Sequence, residues 1–126
     1  MTDTRAIERE EVLTKARAAK AVAPVLAQLP SAKKNDILHA AADALIAQTD
    51  DIIAANQQDI DSGRAEGLTE ALIDRLSLDA ARIEGIAGGL RQVAGLKDPV
   101  GEVLTGGVMP NGIQMRQVRV PLGVMG

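Results

Sequence analysis

One stretch governs the fold, Met115-Arg-Gln-Val-Arg-Val-Pro-Leu-Gly-Val-Met-Gly126. Val118, Val120, Leu122, Val124 and Met125 are apolar, and Pro121 and Gly123 punctuate them. That pattern predicts a chain passing from an exposed strand into a buried one beginning at residue 121. A buried strand needs neighbours on both edges and both faces to satisfy its backbone groups. None follow in the sequence. The expectation is therefore the front part of a larger protein.

Immediately upstream the pattern has the period of strands. Residues 101–105 (GEVLT) and 113–120 (IQMRQVRV) are rich in strand formers, and the turn-rich 106–112 (GGVMPNG) predicts a hairpin between them. Ile113 and Met115 stand in one phase and Val118 and Val120 in the other, which predicts a bulge near Arg116 and Gln117 or burial on both faces from there on. A two-stranded hairpin is marginal in water by itself, so this one calls for a partner sheet.

Further upstream the period becomes helical. Residues 1–10 are polar and charged and read as frayed. From Glu11, the spacing of Val12, Ala16, Ala19, Val22 or Ala23, Leu26 and Leu29 predicts a helix, with Pro24 causing a kink or break near Lys20 to Ala23, and a stop by Pro30. Ser31 is placed to cap a second helix, which carries Ile37, Leu38, Ala41 and Leu45 to about Gln48. Thr49 is placed to cap a third. There Asp50 and Asp51 meet the positive end of the helix dipole, and Ile52, Ile53, Asn56 and Ile60 share one side. Ser62-Gly63 and Glu66-Gly67 predict its end. A short helix follows over residues 70–76, begun by Thr69, and then one capped by Asp79 with the face Ile83, Ile86, Leu90 and Val93, stopping at Gly95. Gly88-Gly89 inside that helix costs about 2 kcal/mol against alanines, which points to an element packed closely there.

Composition bounds the function. The 126 residues are 46% hydrophobic and 25% charged, an ordinary globular balance, yet contain no aromatic residue. A core of Ala, Val, Leu and Ile buries less area per side chain, so little independent stability is expected. The net charge of -3, with both signs interspersed, offers no field for nucleic acid or anionic lipid. With no cysteine, this stretch has no thiolate nucleophile or thiolate metal ligand. There is neither a signal-peptide core nor an apolar run approaching the ~18 residues of a membrane span, and a cytoplasmic setting without membrane partners is expected.

The candidate constellations each have a plainer reading. Asp59, Asp61 and Glu70 have part of a calcium-loop spacing, but Arg64 stands where the sharp-turn glycine belongs. His39 is the only histidine, a poor start for a metal site. Neither glycine pair, 88–89 nor 106–107, follows a buried strand and opens a helix, as a phosphate cradle requires. Ser31, Ser62 and Ser77 sit beside cap or turn signals, and Arg116 and Arg119 mark a solvated or subunit-facing strand surface. No catalytic, cofactor-binding or metal-binding residue is assigned.

Several blocks together nevertheless carry a family likeness. Ile53-Ala-Ala-Asn56-Gln-Gln-Asp59-Ile60, Gly67-Leu-Thr-Glu-Ala-Leu-Ile-Asp74-Arg75-Leu76, Ile83-Glu-Gly-Ile-Ala87, Leu90-Arg91-Gln92-Val93, Asp98-Pro99-Val100-Gly101 and Arg119-Val-Pro121-Leu-Gly123-Val-Met-Gly126 occur in unbroken order. The chain resembles the N-terminal part of the gamma-glutamyl phosphate reductase family, of the aldehyde dehydrogenase superfamily. The blocks at 67–76 and 119–126 weigh most.

The resemblance implies an α/β parent with a Rossmann-type cofactor domain, of which this chain supplies helices, a hairpin and the start of a buried strand. It implies NADPH-dependent reduction of gamma-glutamyl phosphate to glutamate 5-semialdehyde and phosphate in proline biosynthesis, through a cysteine thioester. The cysteine and the NADPH-binding residues of that family lie beyond residue 126, so this stretch alone is expected to be inactive. It also implies the division 1–10 frayed, 11–98 helical part of the cofactor-binding domain, 99–120 hairpin of the oligomerisation region, and 121–126 start of the first Rossmann-like strand, in a homo-oligomer joined through the hairpin. The alternatives are a self-contained helical module that dimerises through its hairpin, and another acyl-phosphate or aldehyde reductase of the superfamily. The 67–76 block argues against the second.

Overall fold

The computed structural model of the chain describes residues 4–125. In order, these form α1 (Thr4–Gln28), α2 (Ser31–Ala47), α3 (Thr49–Ala65), α4 (Glu70–Leu76), α5 (Ala80–Ala94), β1 (Val103–Val108) and β2 (Gln114–Val118). The mainly helical chain with a terminal hairpin is the predicted order. Two compact units result, Ala32–Leu96 and Met1–Ser31 with Lys97–Gly126.

In the Ala32–Leu96 unit, α3 packs against α4 and α5. The buried side chains are few and mostly small: Ala42, Ile60, Ile73, Ile83, Ala87 and Ala94, with Asn56 among them. Ile83, 1% exposed, is the one large side chain wholly enclosed among the described residues. The apolar stripes predicted for α2, α4 and α5 are wider than what their neighbours cover, so Ile37, Leu72, Ile86 and Val93 stay exposed.

Asp79 caps α5 as expected, its carboxylate accepting from the Arg82 amide at 2.7 Å, and Gly95 closes that helix. Thr69 begins α4 as expected, extended and without a side-chain cap bond. The other predicted caps differ. Thr49 turns its hydroxyl backward, donating to the Ile46 carbonyl at 2.8 Å and the Leu45 carbonyl at 3.3 Å. It thereby satisfies carbonyls left over at the end of α2 rather than amides at the start of α3.

The stop at Ser62-Gly63 is also displaced. Helix α3 continues through both residues, and Gly63 is buried because a Cβ there would lie 2.8 Å from Leu68 Cδ1 and 3.3 Å from Ile73 Cδ1. The true terminator is Gly67, at φ 83°. Its amide donates to the Arg64 carbonyl at 3.1 Å and the Leu68 amide to the Gly63 carbonyl at 2.9 Å, a Schellman closure. The element expected to pack on Gly88-Gly89 is absent among the described residues, since a Cβ at either would meet nothing within 4 Å.

In the other unit, α1 starts at Thr4, so of the segment expected to fray, residues 4–10 are helical, while residues 1–3 lie outside the described residues. Charged residues of good helix propensity carry it, with Lys15 paired to Glu11 one turn away at 2.6 Å and Arg17 to Glu10 at 3.4 Å. Of the kink or break expected near Lys20 to Ala23, the break does not occur: the helix runs through Pro24 to Gln28. Proline deprives only the Lys20 carbonyl of its partner, and on this exposed helix water can take the place of the lost amide. Ser31, expected as a cap, donates its hydroxyl to Asp98 Oδ2 at 2.9 Å instead. The Asp98 carboxylate also accepts from the Val100 amide at 3.0 Å, setting the turn into the hairpin.

The hairpin is antiparallel with Val103 opposite Val118 and Thr105 opposite Gln117. The predicted irregularity is thus at the right height in the ladder, but the extra residue, Leu104, lies on β1. β1 also extends further than expected, taking in Gly106-Gly107, so the loop shrinks to Pro110-Asn111-Gly112 between Met109 and Ile113. The strand expected from residue 121 is not formed over residues 121–125, and Gly126 is outside the described residues. Leu122 and Met125 are 86% and 75% exposed. No backbone edge pairs with this segment among the described residues, and an unpaired extended segment cannot satisfy its amides as a strand does. No helix of the described residues is long and apolar enough to cross a membrane.

Candidate functional site

The residues singled out for possible chemistry are dispersed and engaged in local work. Asp61 accepts from Gln57 Nε2 at 3.0 Å, and Glu70 lies 4.0 Å from Arg64 Nε. No group of three His, Asp or Glu side chains suited to a cation gathers among the described residues. His39 lies exposed on α2, Ser62 is exposed on α3, and Ser77 donates back to the Ile73 carbonyl at 2.7 Å. Gly88-Gly89 lies inside α5 and Gly106-Gly107 inside β1, neither at a strand-to-helix turn.

Titration follows surface pairing. Glu11 is held below the usual carboxylate range by Lys15, and Arg91 above its usual value by its hydrogen bond to Asp43 at 3.0 Å. Glu102 is held low by Lys97 at 3.2 Å and by Arg119 at 3.1 Å. Such exposed pairs organise a surface and do not poise an acid or base.

Two arrangements stand out, and sequence reasoning missed the detail of both. The first is a polar knot where α4 hands over to α5. Buried Asn56 donates from Nδ2 to the Leu76 carbonyl at 3.0 Å and accepts at Oδ1 from the Leu78 amide at 2.7 Å. Beside it the Arg82 guanidinium donates to the Ser77 carbonyl at 2.6 Å, to the Asp74 carboxylate at 3.0 Å, and to the Asp74 carbonyl. Both side chains spend their hydrogen-bonding capacity inside the knot, so it is structural. The detectable signal was an asparagine on the otherwise apolar side Ile52, Ile53, Asn56, Ile60, because a buried amide side chain requires partners.

The second arrangement is the hairpin, which presents both faces to solvent. Val103, Leu104, Val108, Ile113, Met115 and Val118 are all exposed, Val108 to 71%. Glu102, gripped by Lys97 and Arg119, fixes its base, where the Gly101 amide donates to the Arg119 carbonyl and the Arg119 amide to the Glu102 carbonyl, each at 2.9 Å. Nearby, α1 and residues 121–124 line an open groove with Ala23, Pro24, Ala27, Pro121, Leu122 and Val124. The chain exposes 10015 Å². Even two separate compact bodies of half its 13.1 kDa mass would together expose only ~7700 Å² by area–mass scaling. The surplus is rich in apolar side chains, as surfaces made for contact are.

No protein-family model matches the sequence. The crystal structure of gamma-glutamyl phosphate reductase from Thermotoga maritima superposes on 88% of the chain at 36% identity, with a TM-score of 0.78. By sequence and by fold, the chain matches gamma-glutamyl phosphate reductase. The gamma-glutamyl phosphate reductase of Saccharomyces cerevisiae, at 31% identity over 84% of the chain, gives a TM-score of 0.73. The family likeness drawn from the sequence therefore holds. In each case the chain spans 27% of the length of the gamma-glutamyl phosphate reductase it matches. The helices and hairpin of this chain thus match the corresponding quarter of two gamma-glutamyl phosphate reductases.

Proposed function

We propose that this chain serves as the N-terminal part of an NADPH-dependent reductase that converts gamma-glutamyl phosphate to glutamate 5-semialdehyde and phosphate in proline biosynthesis, in the cytoplasm. The supporting observation is 36% identity to the Thermotoga maritima enzyme across 88% of the chain at a TM-score of 0.78. NADPH would supply the hydride. The residues of this chain do not fit that cofactor, because no glycine-rich turn among those described leads from a strand into a helix, and none is assigned to it.

The role left to these residues is scaffolding. Residues 11–98 would lean as a helical wall on an aldehyde dehydrogenase-like, Rossmann-type domain. Residues 99–120 would form the hairpin of the oligomerisation region, and 121–126 would gain neighbours as the first strand of the sheet. A two-stranded ribbon with exposed Val, Leu, Ile and Met on both faces suits that use, since it is marginal until another sheet or subunit covers it.

The test is a chimera in which this chain replaces the matched segment of the Thermotoga maritima enzyme. NADP-dependent turnover of glutamate 5-semialdehyde is expected from the chimera and none from the 126 residues alone. A chimera that folds to the native size yet stays inactive, or activity from the cysteine-free chain alone, overturns the reading.

A further inference from the structure

The tip of the hairpin carries chemistry of its own. Pro110, Asn111 and Gly112 form a three-residue loop closed by the Met109 amide on the Ile113 carbonyl at 2.8 Å and the Gly112 amide on the Met109 carbonyl at 2.8 Å. Gly112 takes the left-handed conformation, φ 85°, that such a loop needs at its last position. Asn111 Oδ1 accepts from the Ile113 amide at 3.2 Å, which folds the side chain back along its own chain, over the peptide that joins it to Gly112.

We infer that Asn111 is a site of spontaneous deamidation, converting through a cyclic imide with Gly112 to aspartate and isoaspartate. The Gly112 backbone nitrogen gives up its proton to hydroxide and bonds to Asn111 Cγ, and the bond from Cγ to the carboxamide nitrogen breaks. That nitrogen takes up a proton and leaves as ammonia. Water then opens the five-membered imide at either carbonyl, yielding Asp or its β-linked isomer. One water is consumed, one ammonia is released, and nothing is oxidised or reduced.

Three observations favour this position. Gly112 has no side chain to shield its nitrogen, and the space where a Cβ would stand is open, with nothing within 4 Å. The hydrogen bond from Ile113 draws electron density from the Asn111 carboxamide and makes its carbon a better electrophile. Both residues are exposed, so water and hydroxide reach them.

One observation opposes it: the Gly112 amide is donated to Met109 and must be released before it reacts. That bond closes the outermost turn of a ribbon exposed on both faces, the kind of place where local opening is least costly. The other two asparagines supply an internal control. Asn35 lies within α2 and Asn56 within α3, where the following amide is tied into the helix, and the Asn56 carboxamide is bonded at both ends.

The experiment holds the full chain in mildly alkaline buffer made with heavy-oxygen water, digests it with trypsin, and reads all three asparagines by tandem mass spectrometry. The expected result is heavy oxygen at position 111, as a mixture of Asp and isoaspartate, accumulating about tenfold or more faster than at Asn35 or Asn56 and faster still as pH rises. Asn111→Gln should abolish the acidic isoform. A rate at Asn111 no greater than at the helical asparagines, or an acidic isoform that persists in Asn111→Gln, overturns the inference.

Discussion

Asn56, in the middle of α3, holds the Leu78 amide at 2.7 Å, tying a helix to a connection 22 residues further along the chain. The same carboxamide takes the Leu76 carbonyl, so it mimics a strip of backbone and lets the segment between α4 and α5 run over α3 without orphaned groups.

Replacing Asn56 should therefore hurt more than its single hydrogen-bonding side chain implies. Asn56→Leu keeps the approximate size but strands a carbonyl and an amide, at a cost of about 2 kcal/mol or more. Asn56→Asp loses the donor to Leu76 and sets a carboxylate against a carbonyl. Both should lower the urea midpoint for loss of helicity and release the Leu78 amide to hydrogen exchange. Unchanged exchange at Leu78 would contradict the arrangement.

The two residues at the starts of α4 and α5 should behave differently. Asp79→Ala removes the bond to the Arg82 amide and should destabilise α5 by about 1 kcal/mol, whereas Thr69 makes no cap bond and Thr69→Ala should have the smaller effect. Thermal melts followed by circular dichroism distinguish the two. Equal losses would mean that Thr69 caps in solution.

Gly88→Ala and Gly89→Ala should each stabilise the isolated chain by about 1 kcal/mol, because a methyl at either position meets nothing within 4 Å and alanine is the better helix former. In the chimeric enzyme the same substitutions test whether a neighbour packs on this face. A loss of activity or assembly there, beside a gain in the isolated chain, would identify the face as a contact surface.

The base of the hairpin should depend on pH and salt. Glu102 is held below the usual carboxylate range by Lys97 first and Arg119 second. A lowered folded value means that the contribution is fully present above the unfolded glutamate value of about 4.3 and is lost as pH falls through the lowered one. The protection factor of the Arg119 amide, its exchange corrected for the intrinsic rate at each pH, should fall on acidification through that window and in high salt. In Glu102→Gln the acid-dependent loss of protection should vanish, and its persistence would assign the effect to another group.

Much of the element order was legible because it follows from local rules. Pro30 and Gly95 bound helices, Asp79 caps one, and the change from a helical to an alternating period after Pro99 marks where helices give way to a hairpin. Local rules misplaced the uses of Ser31 and Thr49, each read as an N-cap. Their hydroxyls went to Asp98 and to the preceding carbonyls, a choice set by which groups the fold brings near. Pro24 removes one backbone bond, and the 25-residue helix continues through it.

The sequence carried a family likeness in blocks such as 67–76, upheld by the matches to two gamma-glutamyl phosphate reductases, and assigned no site residue. By itself the sequence determined the helices, the ribbon and their order, because propensity, caps and periodicity act over a few residues. Only the tertiary structure decided that Asn56 is enclosed while Ile86 and Val93 are not, and that the extra residue of the ribbon is Leu104. Enclosure depends on which distant segments meet, and a side-chain period of two or 3.6 residues names a face without naming what covers it.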